Sequence, residues 1–421
     1  MKVLGIADSD SYIKWGASIL ARMPDAWSRS LLVIRTPALP SAGQLDSALS
    51  GTGFTADGSP LVDLADLAAV VAQERPDVVL MSVRGPVVRV LVRMIVAAGA
   101  HRPLIVSGLP GISIPATLLA LYYRSQVDLM ILHSKREIEE FGALASSWGI
   151  HQDFALATLP FLSDLPSAGG GTDIVFAAQA KVPRTLEDRQ QLLGWLVAAA
   201  RARPDRRVIL KLRGAAGEAQ THSERYPFDS LLDEVEDRPS NLVVSIGPMS
   251  QHLASAGALV TVSSTAAIEA MAMGVPVLAI DDFGVTGSLI NLVFEGSGVL
   301  GSSRQLIDGD FRSPDEGWLD ANYFHAPADE DWISAIEAGV ARRLDGPMPL
   351  RAQFRATLGG NLRRVWDRKR ALGQYDTSLG GYLALAVGVP LRGGVRTLRR
   401  VRARLRPAPA VEPARRVQER V

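Results

Sequence analysis

Between residues 258 and 284 the chain reads ALVTVSSTAAIEAMAMGVPVLAIDDFG, and in its helix-like middle, 266–273, one carboxylate, Glu269, stands among apolar residues. Ser263, Ser264 and Thr265 fall where a strand-like run gives way to a helix-like one. Side-chain oxygens cap helices there, and the unpaired amides of the first turn can hold a phosphate. Alanines at 266 and 267 exclude a capping-box role for Glu269. An ionised carboxylate on a buried helix costs several kcal/mol unless it meets a partner. With the helix starting at the serines, Glu269 lies roughly 8 Å along its axis, at about 1.5 Å per residue. That is about the span from a diphosphate at a helix end to the ribose beyond it. The competing reading is a serine-capped core helix whose glutamate pairs with an arginine or the backbone.

Other side chains could do chemistry at strand ends. Lys211 and Arg213 close the run VILKLRG, where cations can neutralise a phosphate; a solvated strand end is the plainer reading. Gln179, Lys181 and Arg184 follow an earlier strand and are weaker candidates. In ADSDSYIKWG, Asp8 and Asp10 follow the first strand and open the first helix, where a carboxylate can accept a proton or cap the helix. The loop SGLPGIS carries Ser107, Gly108 and Gly111 at another strand end, and His133 ends a further strand, where a hydrogen-bonded interior histidine is the alternative. No Gly-x-Gly-x-x-Gly follows a strand and no Walker lysine occurs, which disfavours dinucleotide dehydrogenases and P-loop enzymes. The chain has no cysteine, and its six histidines lack ligand spacing, so no metal site and no cofactor are expected.

The elements that must position these residues follow from periodicity. Near-continuous apolar runs at 2–7, 30–35, 77–83, 103–108 and 127–133 read as buried parallel strands. Helix-like stretches lie between them, around 61–75, 86–99, 114–124 and 134–148. LSDLPSAGGG, residues 162–171, reads as a linker. A second series follows, with strands at 173–178, 207–214, 241–247, 258–262 and 276–281 and helices at 186–202 and 264–273. The 421 residues, 47% hydrophobic and 21% charged, suit two α/β domains facing a central cleft. The expected bounds are 1–161, 172–345, a terminal helix within 346–378 and a basic tail at 379–421. Ligands of such folds bind at the carboxyl ends of the strands.

VSSTAAIEAMAMGVPVLAID resembles the Ser/Thr-x-x-x-Glu-Ala-x-x-x-Gly-x-Pro-Val signature of GT-B glycosyltransferases and of the related glycerophosphotransferases that use CDP-glycerol. VILKLRG is similar to their strand ending in Lys-x-His-Pro, although Arg213-Gly214 replaces His-Pro, and DLMILHSKREIEEFG matches a strand-helix pair late in the first domain. The order of strands over residues 1–345 agrees with that family. The resemblance implies two Rossmann-like domains with a helix crossing back to the first. It implies a nucleotide-sugar donor as substrate, its ribose on Glu269 and its diphosphate on Ser264, Thr265 and their amides; the charge of Lys211 and Arg213 at their strand end adds cations for that diphosphate, and Ser263 is counted with the donor side. The acceptor would be a cell-surface glycan or a lipid-linked sugar, bound beside Ser107, Gly108, Gly111 and His133 and deprotonated by Asp10, with Asp8 next in order. An enzyme using a CDP-alcohol, a sugar-nucleotide epimerase, or a silent scaffold that binds a nucleotide or glycan are the alternatives.

The formal net charge of +1 conceals an asymmetry. Residues 387–421 hold ten arginines against Glu412 and Glu419, a local net of +8, so the preceding residues carry about −7. An apolar stretch too short to span a bilayer leads into these arginines, which suits a peripheral contact with an anionic membrane. A solvated end is the competing reading, and nucleic acid is disfavoured because no aromatic residue interleaves the arginines. With no signal-peptide pattern at MKVLGIAD, the expected place is the cytoplasm, at the inner face of the membrane.

Overall fold

A computed structural model describes residues 1–97, 102–162, 165, 167, 170–212, 224–346, 349–352, 354, 360–388 and 390. Residues 1–356 form one compact unit and 357–421 a second.

The first unit holds two parallel sheets. Strands β1 (Lys2–Ala7), β2 (Ser28–Ile34), β3 (Leu61–Val62), β4 (Val78–Ser82), β5 (Leu104–Gly108), β6 (Leu129–Leu132) and β7 (Asp153–Leu156) are ordered β3-β2-β1-β4-β5-β6-β7. Strands β8 (Asp173–Ala177), β9 (Val208–Lys211), β10 (Leu242–Ser245), β11 (Ala256–Thr261), β12 (Val277–Ile280) and β13 (Leu300–Gly301) are ordered β10-β9-β8-β11-β12-β13. Central strands such as β4, β5 and β8 are buried along their whole length, as helices on both faces of a parallel sheet require. This is the expected α/β architecture of two Rossmann-like domains. In each sheet the order reverses at one place, between β1 and β4 and between β8 and β11. A crevice opens outside the strand ends at such a reversal.

Three strands escaped the reading by periodicity. β3 and β13 are two residues long, too short to show a period, and β7 is half-exposed at the sheet edge. The expected linker at 162–171 lies partly outside the described residues.

The helix Trp332–Asp345 packs on the first sheet, where Trp332, Ile336 and Val340 are buried with Leu104, Val106, Leu129 and Ile131. At Gly339 an added Cβ would stand 2.8 Å from Leu104 Cδ1, so the small residue permits the close approach. Polar contacts fix the return. Arg22 meets Glu330 at 2.9 Å, the Leu156 amide donates to Asp331 Oδ1 at 2.7 Å, and Arg343 meets Asp77 at 2.8 Å. The chain therefore crosses back upstream of the 346–378 segment in which the crossing helix was expected. Apolar spacing alone gave no sign of which sheet this helix would cover.

The lobes also touch beside the crevice. Tyr323 donates its hydroxyl to Glu137 Oε1 at 2.7 Å, and the Arg136 guanidinium donates to the carbonyls of Leu292 and Val293 at 3.3 and 3.2 Å. Ile114 and Leu159 from the first lobe are buried in the core of the second.

Candidate functional site

Glu269 sits at the reversal point of the second sheet, on the short helix Ala266–Ala272 that follows β11. The helix begins later than expected. Its N-cap is Thr265, not Ser263 or Ser264, and the threonine side chain makes no cap bond. The Ser264 hydroxyl instead accepts from the Ala266 amide at 3.2 Å, while the Thr261 hydroxyl accepts from the Ser264 amide at 3.1 Å. Thr261, at the end of β11, draws the chain into one more turn before the helix starts. Glu269 thus stands in the first helical turn, and the expected 8 Å shrinks to about 4.5 Å from the first helical residue. The carboxylate is closer to the helix end than periodicity implied.

Burial raises the Glu269 carboxyl above the usual range, while the ammonium groups of Lys14 and Lys211 oppose the rise. The backbone of Glu269 bonds to Thr265 and Met273, but its carboxylate makes no hydrogen bond or ion pair with any described residue. Lys211 ends β9 in the second lobe and is buried, its ammonium donating to the Leu212 carbonyl, so it is not the solvated strand end of the plainer reading. Lys14 comes from the other lobe, on the helix Asp10–Ala21. Two cations from facing domains thus bear on one half-buried carboxylate. Arg213 lies outside the described residues.

Ser263 is held by Gln179, whose Oε1 accepts from its amide at 3.1 Å and its hydroxyl at 3.0 Å. Gln179 follows β8, so the loops on both sides of the second reversal point are tied together. Lys181 and Arg184 are exposed further along the same loop. Thr265 is exposed and faces the first lobe, since a Cβ built on Gly111 would lie 3.9 Å from its methyl group.

The carboxylates of ADSDSYIKWG part company. Asp8 is fully buried, taking the Arg84 amide on Oδ1 at 3.0 Å and the Arg84 guanidinium on Oδ2 at 2.8 Å. It ties the end of β1 to the turn after β4. Asp10 is exposed and is the first residue of its helix, capped by Ser9, so neither aspartate is the N-cap. Asp10 and Lys14 are four apart and share a helix face. The charge of Lys14 bears on Glu269 from this helix.

The helix Asp10–Ala21 is pressed onto the strand ends by two small residues. A Cβ on Gly16 would come 2.6 Å from Ser82 Cβ, and a Cβ on Gly108 would come 2.3 Å from the Trp15 ring. Of the expected acceptor-side groups, Ser107, Gly108 and His133 lie in the interior. Ser107 is buried, donating to the Met81 carbonyl at 2.9 Å and accepting from Arg124 at 3.3 Å. His133 is fully buried, taking the Trp15 indole N–H on Nε2 at 2.7 Å, with Nδ1 2.8 Å from the Ala157 carbonyl. Burial pushes its pKa down to about 4. These residues support the helix and do not line the crevice. Of the acceptor-side set, Gly111 reaches the opposite lobe.

Sequence reasoning missed Lys14, Arg84, Glu137 and Tyr323. Lys14 had a signal, its four-residue spacing from Asp10. The other three act through partners distant in sequence and had none. Among the described residues no group of three or more histidine or acidic side chains is arranged to hold a metal ion.

Two Rossmann-like lobes, each a parallel sheet with one reversal point, define a GT-B type fold. The chain belongs to the family described as "Putative glycosyltransferase (DUF6716)", whose profile matches residues 3–339. Its fold is similar to that of a protein described as "putative UDP-N-acetylglucosamine 2-epimerase" from Listeria monocytogenes, with TM-score 0.51 and 16% identity over 83% of this chain and 98% of that one. The UDP-GlcNAc 2-epimerase of Neisseria meningitidis bound to UDP-GlcNAc aligns with TM-score 0.49 and 12% identity over 82% and 99%. UGT2 of Phytolacca americana, complexed with UDP-2fluoro-glucose and pterostilbene, aligns with TM-score 0.47 and 10% identity over 82% and 94%. No curated protein matches the sequence.

Proposed function

We propose that the protein transfers a sugar from a nucleotide-sugar donor to a glycan or lipid-linked acceptor, without a metal ion, at the cytoplasmic face of an anionic membrane. The observation that carries this reading is Glu269, a half-buried carboxylate without a partner among the described residues, with Lys14 on one lobe and Lys211 on the other. Such a carboxylate can accept hydrogen bonds from two vicinal ribose hydroxyls, which offsets its desolvation. The ammonium groups beside it stabilise the charge that grows on a leaving diphosphate. The hydroxyls of Ser264 and Thr265 can donate to the same phosphates, while Ser263 and the Ser264 amide are held by Gln179 and Thr261 and shape the loop; Arg213, outside the described residues, is a further candidate cation.

The acceptor hydroxyl enters from the first lobe beside Gly111. Asp10 takes its proton as the oxygen bonds to the anomeric carbon. The bond from that carbon to the diphosphate oxygen breaks, and its electron pair leaves with the nucleoside diphosphate. A single displacement of this kind inverts the anomeric centre. Asp8 is sealed against Arg84; Asp10, exposed at the start of its helix, is the proposed base.

Isothermal titration with UDP, GDP, TDP and CDP tests the donor site. One nucleotide should bind, and Glu269→Ala should weaken it at least about tenfold. Unchanged affinity in that variant would overturn the assignment. Product analysis separates the alternatives: release of nucleoside diphosphate supports sugar transfer, CMP supports a CDP-alcohol donor, and binding without turnover supports a scaffold.

A further inference from the structure

The unit that begins after residue 356 carries a surface with no part in the proposed chemistry. Its helix Gly360–Leu372 packs against a second helical stretch, residues 379–388. Ala384 is buried, and a Cβ on Gly388 would come 2.4 Å from the Trp366 ring. Lys369 lies 3.6 Å from the centroid of the Tyr382 ring. The other face of 379–388 is open and apolar. Leu379 is 83% exposed, Leu383 67% and Val387 47%, and their four-residue spacing sets them in one stripe with Tyr382 beside it. No charged residue occurs from 379 to 391. Seven arginines then follow, at 392, 396, 399, 400, 402, 404 and 406, with no acidic residue before Glu412.

We propose that this stripe is a membrane-docking surface, lying in the plane of an anionic bilayer with Leu379, Leu383 and Val387 among the acyl chains. The proposal deepens the membrane part of the reading above by naming the side chains that enter the lipid. An exposed apolar stripe marks an interaction site, and ten helical residues are far short of the ~20 that span a bilayer. Charge selects the occupant. A second copy of the chain on this face would bring two arginine runs together and repel. A nucleic acid would use the arginines but leave the leucines in water. An anionic lipid surface takes both, acyl chains for the stripe and headgroups for the arginines.

Sedimentation of the full chain with phosphatidylcholine vesicles, with and without about one-third phosphatidylglycerol, tests this. Binding should require the anionic lipid, weaken with salt, and fall at least about tenfold in the double variant Leu379→Asp, Leu383→Asp. Nucleotide affinity in solution should not change in that variant. In Leu383→Trp, the introduced tryptophan should shift its emission to the blue on anionic vesicles, and brominated lipid should quench it. Vesicle binding should also survive Glu269→Ala, which separates this surface from the donor site. Wild-type binding by the double variant, no binding by the parent chain, or a dimer that the two aspartates dissociate would each overturn the proposal.

Discussion

Asp8 and Asp10 are two positions apart in the chain, yet one is buried and the other exposed. Asp8 is enclosed and accepts from both the amide and guanidinium of Arg84, so its lone pairs are committed. Asp10 stands exposed at the helix start, beside Lys14 on one face. Asp10→Asn should therefore leave nucleotide affinity intact and reduce kcat by about 10²- to 10⁴-fold, the usual worth of a general base. A parallel loss of nucleotide affinity would make Asp10 a binding group instead. Glu269 is the third case, raised by burial and opposed by two lysines. A bound ribose would supply the hydrogen bonds that the Glu269 carboxylate lacks among the described residues.

The elements around the crevice are set by close approach and by shared carboxylates. Gly108→Ala would drive a Cβ to 2.3 Å from the Trp15 ring. The helix bearing Asp10 and Lys14 must then lift, and thermal unfolding should report about 1–3 kcal/mol of destabilisation. Glu137, at the start of the helix Lys135–Ser147, accepts from the Ser113 amide at 2.8 Å, the His133 amide at 2.8 Å and the Tyr323 hydroxyl at 2.7 Å. It joins the Gly111 loop to the second lobe. Burial nevertheless raises its pKa to about 7, with the nearby Glu140 adding to the rise. A carboxyl raised in this way contributes stability that is complete below its unfolded value near 4.5 and lost as pH climbs through 7. The advantage of wild type over Glu137→Gln should accordingly shrink between pH 4.5 and 8, by up to about 3 kcal/mol. Unfolding curves of both proteins across that range check it. A buried neutral His133, lowered to about 4, has the opposite trend, losing stability as pH falls from 6.5. The paired comparison cancels that contribution.

For the molecule as a whole, the helix Trp332–Asp345 secures the return to the first lobe. Trp332 is buried in the first core and donates its indole N–H to Glu330 at 2.8 Å, the carboxylate that also holds Arg22. Trp332→Ala should cost about 3–5 kcal/mol, visible as a lowered Tm. Ligand binding should recover part of that loss, since a nucleotide held at 100 times its Kd adds about 2.7 kcal/mol. A Tm that no nucleotide raises, in either protein, would count against the donor site. Among the described residues no helix is long and apolar enough to cross a membrane.

Much of this was legible from one dimension because parallel strands are buried on both faces. Their runs, such as IVFA in β8 and ALV in β11, stay apolar and announce themselves. The signature around Glu269 was legible for a related reason, since a lone charge on a greasy helix needs a partner. Three outcomes needed the folded chain. Asp8 and Asp10 are chemically the same, and the neighbour that separates them, Arg84, arrives from 76 residues away. Trp332–Asp345 has an apolar face that would suit either sheet, and Glu330, Asp331 and Arg343 choose the first through contacts distant in sequence. His133 ends a strand just as a crevice residue would, but Trp15 covers it. Periodicity tells a side chain that it must be buried; the partner that buries it is set by packing in three dimensions.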